Sequence, residues 1–223
     1  MKGLILKDIY SVRFQILLAL GIMLLPNVAS VFIDFLGGSA IESDAQIIMV
    51  LFFYGMLDYI CISLFSSFVL NTIGDDLNSG WSRIVRTFPV RGSEIIRAKI
   101  TATSIIVGIL TAVSLVFNVL RGIMQGVPME PVITMPICMG LLQIALLSPI
   151  FPLAIRLGTK TTNVLYIIML LLMTAGSAVL IKASLSAGIA ILRVVFYCGS
   201  PIAAVGSVVL SSRFGNRAMN RIE

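Results

Sequence analysis

The chain has 223 residues, of which 58% are hydrophobic and only 12% are charged, whereas soluble domains carry about 25% charged residues. Because the apolar residues form long runs, one buried core cannot hold them, and the composition excludes an ordinary soluble domain. The net charge of +6 does not indicate nucleic-acid binding, since the basic residues lie at the ends of apolar runs and not in a stripe interleaved with aromatic residues.

The first thirteen residues carry an amphipathic pattern. Their apolar residues share one helical face while the charged residues lie elsewhere, and the apolar set is Leu4, Ile5, Ile9 and Val12. The pattern predicts an elbow helix over residues 1–13 that lies along the membrane surface, with its lysines near the headgroups of membrane lipids. The same residues would also fit a polar start to the first membrane span.

Six apolar runs follow the elbow. A membrane span needs about twenty such residues, and the runs cover residues 14–35, 47–70, 100–119, 133–155, 164–181 and 189–210. Proline removes a backbone hydrogen bond, so we expect a kink at Pro26 and a break at Pro149 and Pro152. The sequence thus predicts an all-α, polytopic membrane protein in which residues 1–223 form one transmembrane domain.

The basic residues predict the orientation of these spans. Thirteen of the sixteen lysines and arginines lie in the N-terminal segment, the loop after the second span, the turn after the fourth span or the C-terminal tail. The other three are Arg121, Lys182 and Arg193. Because cytoplasmic loops are rich in lysine and arginine, we expect a multi-pass protein of the cell membrane with both termini in the cytoplasm.

The sequence offers little to a catalytic mechanism. It holds no histidine, which is the most common general base and metal ligand. Its three cysteines are scattered through apolar runs and form neither a disulfide framework nor a zinc pattern. Residues 158–161, Gly-Thr-Lys-Thr, lack the glycine spacing of a phosphate-binding loop, and we interpret them as a cytoplasmic turn. We therefore expect a non-catalytic chain without a bound metal or cofactor.

Asp58 is an acidic residue deep inside the predicted second span. A carboxylate at this depth is costly unless it faces water, pairs or is protonated. It is either a residue that lines a substrate or proton path, or a polar contact across a helix or dimer interface, and the sequence favours neither interpretation.

The loop between the second and third spans is the most informative segment. Its apolar residues recur at helical spacing, namely Trp81, Ile84, Val85 and Phe88. Acidic residues suit a helix N-terminus and basic residues its C-terminus, and the order here is Asp75, Asp76, Arg83 and Arg86. Pro89 ends the helix. The loop therefore predicts a short amphipathic helix whose apolar side needs a partner. Trp81 is a candidate anchor for that partner or a marker of the headgroup belt.

A series of features follows in a fixed order along this loop: an acidic pair, a glycine before an aromatic residue, a proline turn, and an acid and a lysine that enter the third span. The residues are Asp75-Asp76, Gly80-Trp81, Phe88-Pro89-Val90-Arg91, Glu94-Ile95-Ile96 and Lys99. In this series the chain resembles the permease subunits of ABC-2 type exporters. The elbow and the six spans are similar as well, and the small size is most like that of permeases for phenol-soluble modulins and other peptides.

The resemblance implies a permease that works with a separate cytoplasmic ABC ATPase, two permeases with two ATPases, the permeases forming a homodimer or a heterodimer. ATP and Mg²⁺ would be bound by the ATPase. The chain would export an amphipathic or hydrophobic cargo, such as a peptide, a lipid-like molecule or a drug. The helix between spans two and three would be the coupling helix that docks the ATPase, through Asp75, Asp76, Trp81, Arg83, Ile84, Phe88 and Pro89.

Three other classes of protein compete with this interpretation. A secondary transporter would need intramembrane charges or inverted repeats, for which Asp58 is the one candidate charge. A membrane enzyme would need a catalytic cluster that the sequence lacks. A non-transporting membrane or immunity subunit would show the same composition and spans.

Overall fold

The long apolar runs fold as helices because a membrane offers no water to backbone N–H and C=O groups, which must then bond within the helix. The computed structural model describes residues 2–37, 58–63, 72–73, 75–76, 79, 92–187 and 195–219. Every regular element within these ranges is helical, so the prediction of an all-α fold is confirmed for the described part of the chain.

Two helices form the N-terminal part of the fold. Helix α1 comprises Lys2–Ser11 and helix α2 comprises Arg13–Gly37. The chain bends by 55° between them at Val12, which is buried and whose N–H still donates to the Asp8 carbonyl over 3.3 Å. The bend thus gives α1 a direction different from that of α2, and the position of α1 along the membrane surface stays a prediction.

A hairpin of two long helices forms the centre of the fold. Helix α3 comprises Gly92–Gln125 and helix α4 comprises Met129–Leu157. Gly126 allows the short turn between them because its φ of 68° lies in the left-handed region that glycine enters at little cost. Helix α3 extends beyond the predicted span of residues 100–119 at both of its ends.

The predicted break at Pro149 and Pro152 is absent, since α4 continues through both prolines to Leu157. A transmembrane helix tolerates proline where neighbouring groups compensate for the lost backbone hydrogen bond. Pro152 is buried within the protein.

A glycine turn separates α4 from helix α5, which comprises Thr159–Ala187. Gly158 has φ 83° and ψ 157°, and its carbonyl accepts the backbone N–H of Thr162 over 3.2 Å. A π-helical turn, Val195–Gly199, then leads into helix α6, which comprises Ser200–Met219. Residues 158–161 therefore form the junction between α4 and α5, with Gly158 as the turn and Thr159 as the first residue of α5.

Helix α4 packs against α3, α5 and α6, and α3 also packs against α1, α2 and α6. The shared core contains Met23 of α2, Ile106 and Leu110 of α3, and Leu147 and Phe151 of α4. All five side chains are at most 2% exposed, so α3 and α4 form the central layer on which the other helices pack.

The structure contains two helices that are long and apolar enough to cross a membrane among the described residues, Glu94–Gln125 and Met129–Leu157. A third is present if the bent pair α1 and α2 counts as one span. Of the predicted second span the structure describes only residues 58–63, which are helical. The chain is thus a helical membrane protein, and the count of six spans stays a prediction.

Candidate functional site

One buried polar group lies where α1, α3 and the loop after the predicted second span meet. We call it the Lys99 cluster; its members are Lys7, Asp8, Thr72, Asp76 and Lys99. The Lys99 ammonium donates to both carboxylate oxygens of Asp8, over 3.3 and 3.4 Å, and to Asp76 over 2.9 Å. It also donates to the Thr72 hydroxyl over 3.2 Å. Lys7 forms an ion pair with the other oxygen of Asp76.

Burial makes the Lys99 cluster sensitive to the loss of any member. Lys99 and Asp8 are each only 4% exposed. A buried charge that loses its partner is strongly destabilising, by about 3–5 kcal/mol. Because its members come from three segments distant in sequence, the cluster holds α1 and Asp76 in fixed positions against the start of α3.

Burial also raises the pKa of the Asp8 carboxyl above its ordinary value of 3.8. The negative charge of Asp76 acts in the same direction, whereas Lys99 and Lys7 lower the pKa. Desolvation has the largest effect on this pKa, and the charge of Lys99 has the largest effect in the opposite direction. The ionised form of Asp8 therefore depends on the nearby Lys99.

The second polar group lies deep among α2, residues 58–63 and α3. We call it the Asp58 ring; its members are Asn27, Asp58, Asn118 and Arg121. Asn27 donates to one Asp58 oxygen over 3.4 Å, and Asn118 donates to the other over 2.7 Å. Arg121 in turn donates to the amide oxygens of Asn27 and Asn118. Ser114 adds a hydrogen bond to Asp58 from outside the ring.

The ring lies in the interior of the protein. Asn27 and Asp58 are each 3% exposed and Arg121 is 4% exposed. Charged groups in this environment require hydrogen-bond partners, and the ring supplies them from three segments of the chain. The contacts of Asp58 in the described residues are thus contacts between helices of the same chain.

The two groups lie at different depths along α3. Lys99 and Ser114 are fifteen positions apart in the sequence, which corresponds to roughly 22 Å at 1.5 Å per helical residue. The stretch between them is largely apolar and contributes Ile106, Val107 and Leu110 to the core. Helix α3 therefore connects a polar cluster near its N-terminal end with a polar ring near its C-terminal end.

The structure describes only part of the predicted coupling segment. Asp75 is exposed, and its carbonyl accepts the N–H of Ser79 over 2.8 Å, whereas Asp76 belongs to the Lys99 cluster. The other predicted coupling residues lie outside the described residues: Trp81, Arg83, Ile84, Phe88 and Pro89.

Sequence reasoning missed most partners of these groups. The amphipathic pattern predicts Lys7 near lipid headgroups, yet Lys7 pairs with Asp76. Asp8 is one of the charged residues off the apolar face of residues 1–13, yet it is buried. Arg121 was assigned to a loop, but it is a buried residue within α3. Charge complementarity between spans could have predicted that Arg121 lies near Asp58, since Asp58 needs a buried partner and Arg121 adjoins the end of the next span.

These groups can hold helices together and change their contacts, but they do not form a metal site. Among the described residues, no three histidine, cysteine, aspartate or glutamate side chains converge on one point. The chemistry available to the site is the making and breaking of buried ion pairs and hydrogen bonds.

The comparison with known proteins agrees with this architecture. The family model described as "ABC-2 family transporter protein" matches residues 3–218. No curated protein and no solved structure matches the chain significantly. The family match covers α1, the central hairpin and nearly all of α6, and thus nearly the whole chain. The chain therefore belongs to the ABC-2 transporter family.

Proposed function

We propose that the chain is the permease subunit of an ATP-driven exporter and that a separate cytoplasmic ABC ATPase drives its movements. Family membership implies the ATPase partner. The observation that supports the coupling mechanism is the Lys99 cluster, in which one buried lysine binds the elbow at Asp8 and the predicted coupling segment at Asp76.

In this proposal the Lys99 cluster transmits movement of the ATPase to the helices of the permease. An ATPase that moves the segment around Asp76 must either break the ion pair with Lys99 or move α3 and α1 with it. Breaking the pair would leave a buried ammonium with fewer partners, which is unfavourable. The lower-energy response is a joint movement of the coupling segment, the elbow and the start of α3.

In this proposal the remaining residues of the predicted coupling helix form the docking surface for the ATPase. They are Asp75, Trp81, Arg83, Ile84, Phe88 and Pro89. Asp75 fits this role because its side chain is exposed while its neighbour Asp76 faces the cluster. ATP and Mg²⁺ are bound by the ATPase, and this chain contributes no catalytic group.

We assign the cargo to amphipathic or hydrophobic molecules, with peptides first and lipid-like molecules or drugs as further members of that class. The support is the composition of the helices, whose walls are apolar with scattered hydroxyl and amide groups. The complete transporter would contain six spans per permease and two permeases with two ATPases, with both termini of each permease in the cytoplasm.

The test is to co-purify the permease with candidate ATPases, reconstitute the complex in nanodiscs and measure ATP hydrolysis with an amphipathic peptide. We expect the peptide to stimulate hydrolysis by the wild-type complex. We expect Asp76→Asn to reduce this stimulation several-fold while the ATPase still co-purifies, because docking and coupling use different residues.

Glu130→Gln is the matched control, because it neutralises an exposed acid at the other end of the α3–α4 hairpin. It should leave the stimulation unchanged. The proposal is wrong if no ATPase forms a stable complex with the permease, or if Asp76→Asn couples as well as the wild type does.

A further inference from the structure

The Asp58 ring has an unusual arrangement of charge, because two neutral amides stand between a carboxylate and a guanidinium. The hydrogen-bond partners of Asp58 in the described residues are Asn27, Ser114 and Asn118, which are all neutral. Arg121 reaches Asp58 through the two asparagines, to which it donates. Each asparagine thus directs its oxygen toward the positive charge and its nitrogen toward the negative one.

This arrangement fixes the direction of both amides. In a medium of low dielectric constant, hydrogen bonds that run from a cation through a dipole to an anion strengthen one another. The Asn27 amide also donates to the Met23 carbonyl over 2.8 Å, which orients its side chain on α2. Asn27 is therefore the contact through which α2 joins the ring.

The opposite charges of Asp58 and Arg121 suggest a second arrangement of the ring. If α2 moves away and takes Asn27 with it, each charge loses one partner. Asn118 still joins the two charges from the other side, and a direct ion pair between Asp58 and Arg121 would replace the lost hydrogen bonds. Such an ion pair would offset the hydrogen bonds to Asn27 that each charge loses, since the loss of a partner strongly destabilises a buried charge.

From this geometry we propose that the Asp58 ring is a two-state latch for α2. In the latched state Asn27 stands between Asp58 and Arg121 and holds α2 against α3. In the released state Asn27 has left the ring, Asp58 pairs with Arg121 directly, and α2 is free to move relative to α3. Two discrete arrangements of the same side chains are the physical requirement for a conformational switch.

The latch is independent of the cargo and of the direction of transport. It is a property of the chain itself, so it can be tested in the full-length permease in nanodiscs without the ATPase. A failure of the latch would leave the coupling role of Lys99 untouched, and a failure of coupling would leave the latch untouched.

The first experiment measures the separation of α2 and α3. Spin labels are placed at the exposed positions Val28 and Ile123 after the three native cysteines have been replaced. Asn27→Leu keeps the size of the side chain but removes its hydrogen bonds. We expect it to raise the population with a longer distance about tenfold, as the loss of hydrogen bonds to two charged groups implies.

Gln15→Leu is the matched control, since it makes the same chemical change on α2 away from the ring, at a side-chain oxygen with no partner in the described part of the chain. Its distance distribution should equal that of the parent. An unchanged distribution in Asn27→Leu would overturn the latch. If Asn27→Leu does not fold, Asn27→Ser replaces it, because its hydroxyl is too short to bridge both charges.

The second experiment tests the direct ion pair. A double-mutant cycle with Asp58→Asn and Arg121→Gln measures the coupling of the two charges from thermal unfolding midpoints. We expect this coupling to be larger in the Asn27→Leu or Asn27→Ser background than in the parent. Equal coupling in both backgrounds would show that the charges do not meet when Asn27 is absent, and would overturn the proposal.

Discussion

At the scale of single residues, Gly158 determines the junction of α4 and α5. Its φ of 83° and ψ of 157° belong to a region that is essentially restricted to glycine, where other residues are strained by about 1–3 kcal/mol. Gly158→Ala should therefore lower the unfolding temperature of the permease in detergent. Gly108→Ala is the control, because Gly108 lies in α3 with open space around it, and that variant should be at least as stable as the parent. Equal stability of both variants would contradict the assigned backbone strain.

Asp8 gives the protein a pH dependence of defined sign. Its folded-state pKa is raised above 3.8 by burial, so the folded state binds a proton more tightly than the unfolded state does. Stability contributed by this proton is fully present below the unfolded pKa and is lost as the pH rises through the folded pKa. Unfolding midpoints measured from acid to neutral pH should therefore fall less steeply with pH in Asp8→Asn than in the parent.

Asp75→Asn is the control for the Asp8 measurement, because Asp75 is an exposed acid beside Asp76. Its profile should follow that of the parent. If Asp8→Asn and the parent show the same slope, the buried carboxyl does not titrate as burial implies, and the Lys99 cluster holds Asp8 in one protonation state across the range.

At the scale of helices, α3 and α4 approach each other closely at Gly140. A Cβ atom there would lie 2.4 Å from the Thr111 hydroxyl oxygen, closer than real contacts allow. Gly140→Ala should therefore force the helices apart and destabilise the hairpin by about 1–3 kcal/mol. The double variant Thr111→Ala/Gly140→Ala should recover most of this loss, since the remaining contact of 3.4 Å is ordinary. No recovery in the double variant would show that Thr111 is not the obstacle.

Helices were easier to predict from the sequence than their contacts were. Hydropathy and length identify α3 and α4 because a membrane span is a local property of about twenty residues. Hydropathy could not predict that α3 includes Arg121, since an arginine after an apolar run is typical of a loop.

The Lys99 cluster contains two contacts between positions 69 or more apart in sequence, Lys7 to Asp76 and Asp8 to Lys99. No local sequence pattern predicts contacts between such distant positions. Family resemblance marked Asp76 and Lys99 as important, but not as partners.

At the scale of the whole molecule, the two polar groups belong to opposite halves of one membrane protein. The apolar stretch of α3 from Glu94 to Gln125 comprises 32 residues, or roughly 48 Å, which exceeds the hydrocarbon thickness of about 30 Å. We therefore expect the start of α3 and the end of α4 to lie on one side of the membrane and the turn at Gly126 to lie on the other. The excess of basic residues near Lys99 and Lys160 predicts that the first side faces the cytoplasm.

This orientation predicts which positions react with a membrane-impermeant thiol reagent. In a background without the native cysteines, Met129→Cys at the start of α4 should react in intact cells, whereas Lys160→Cys at the start of α5 should react only after the membrane is opened. Both residues are exposed, so a difference in reactivity between the two cysteines reports the side of the membrane and not the burial of the side chain. Reaction of Lys160→Cys in intact cells would reverse the orientation and place the Lys99 cluster on the outer side, where a cytoplasmic ATPase could not act on it. Reaction of both positions from one side would mean that α4 does not cross the membrane.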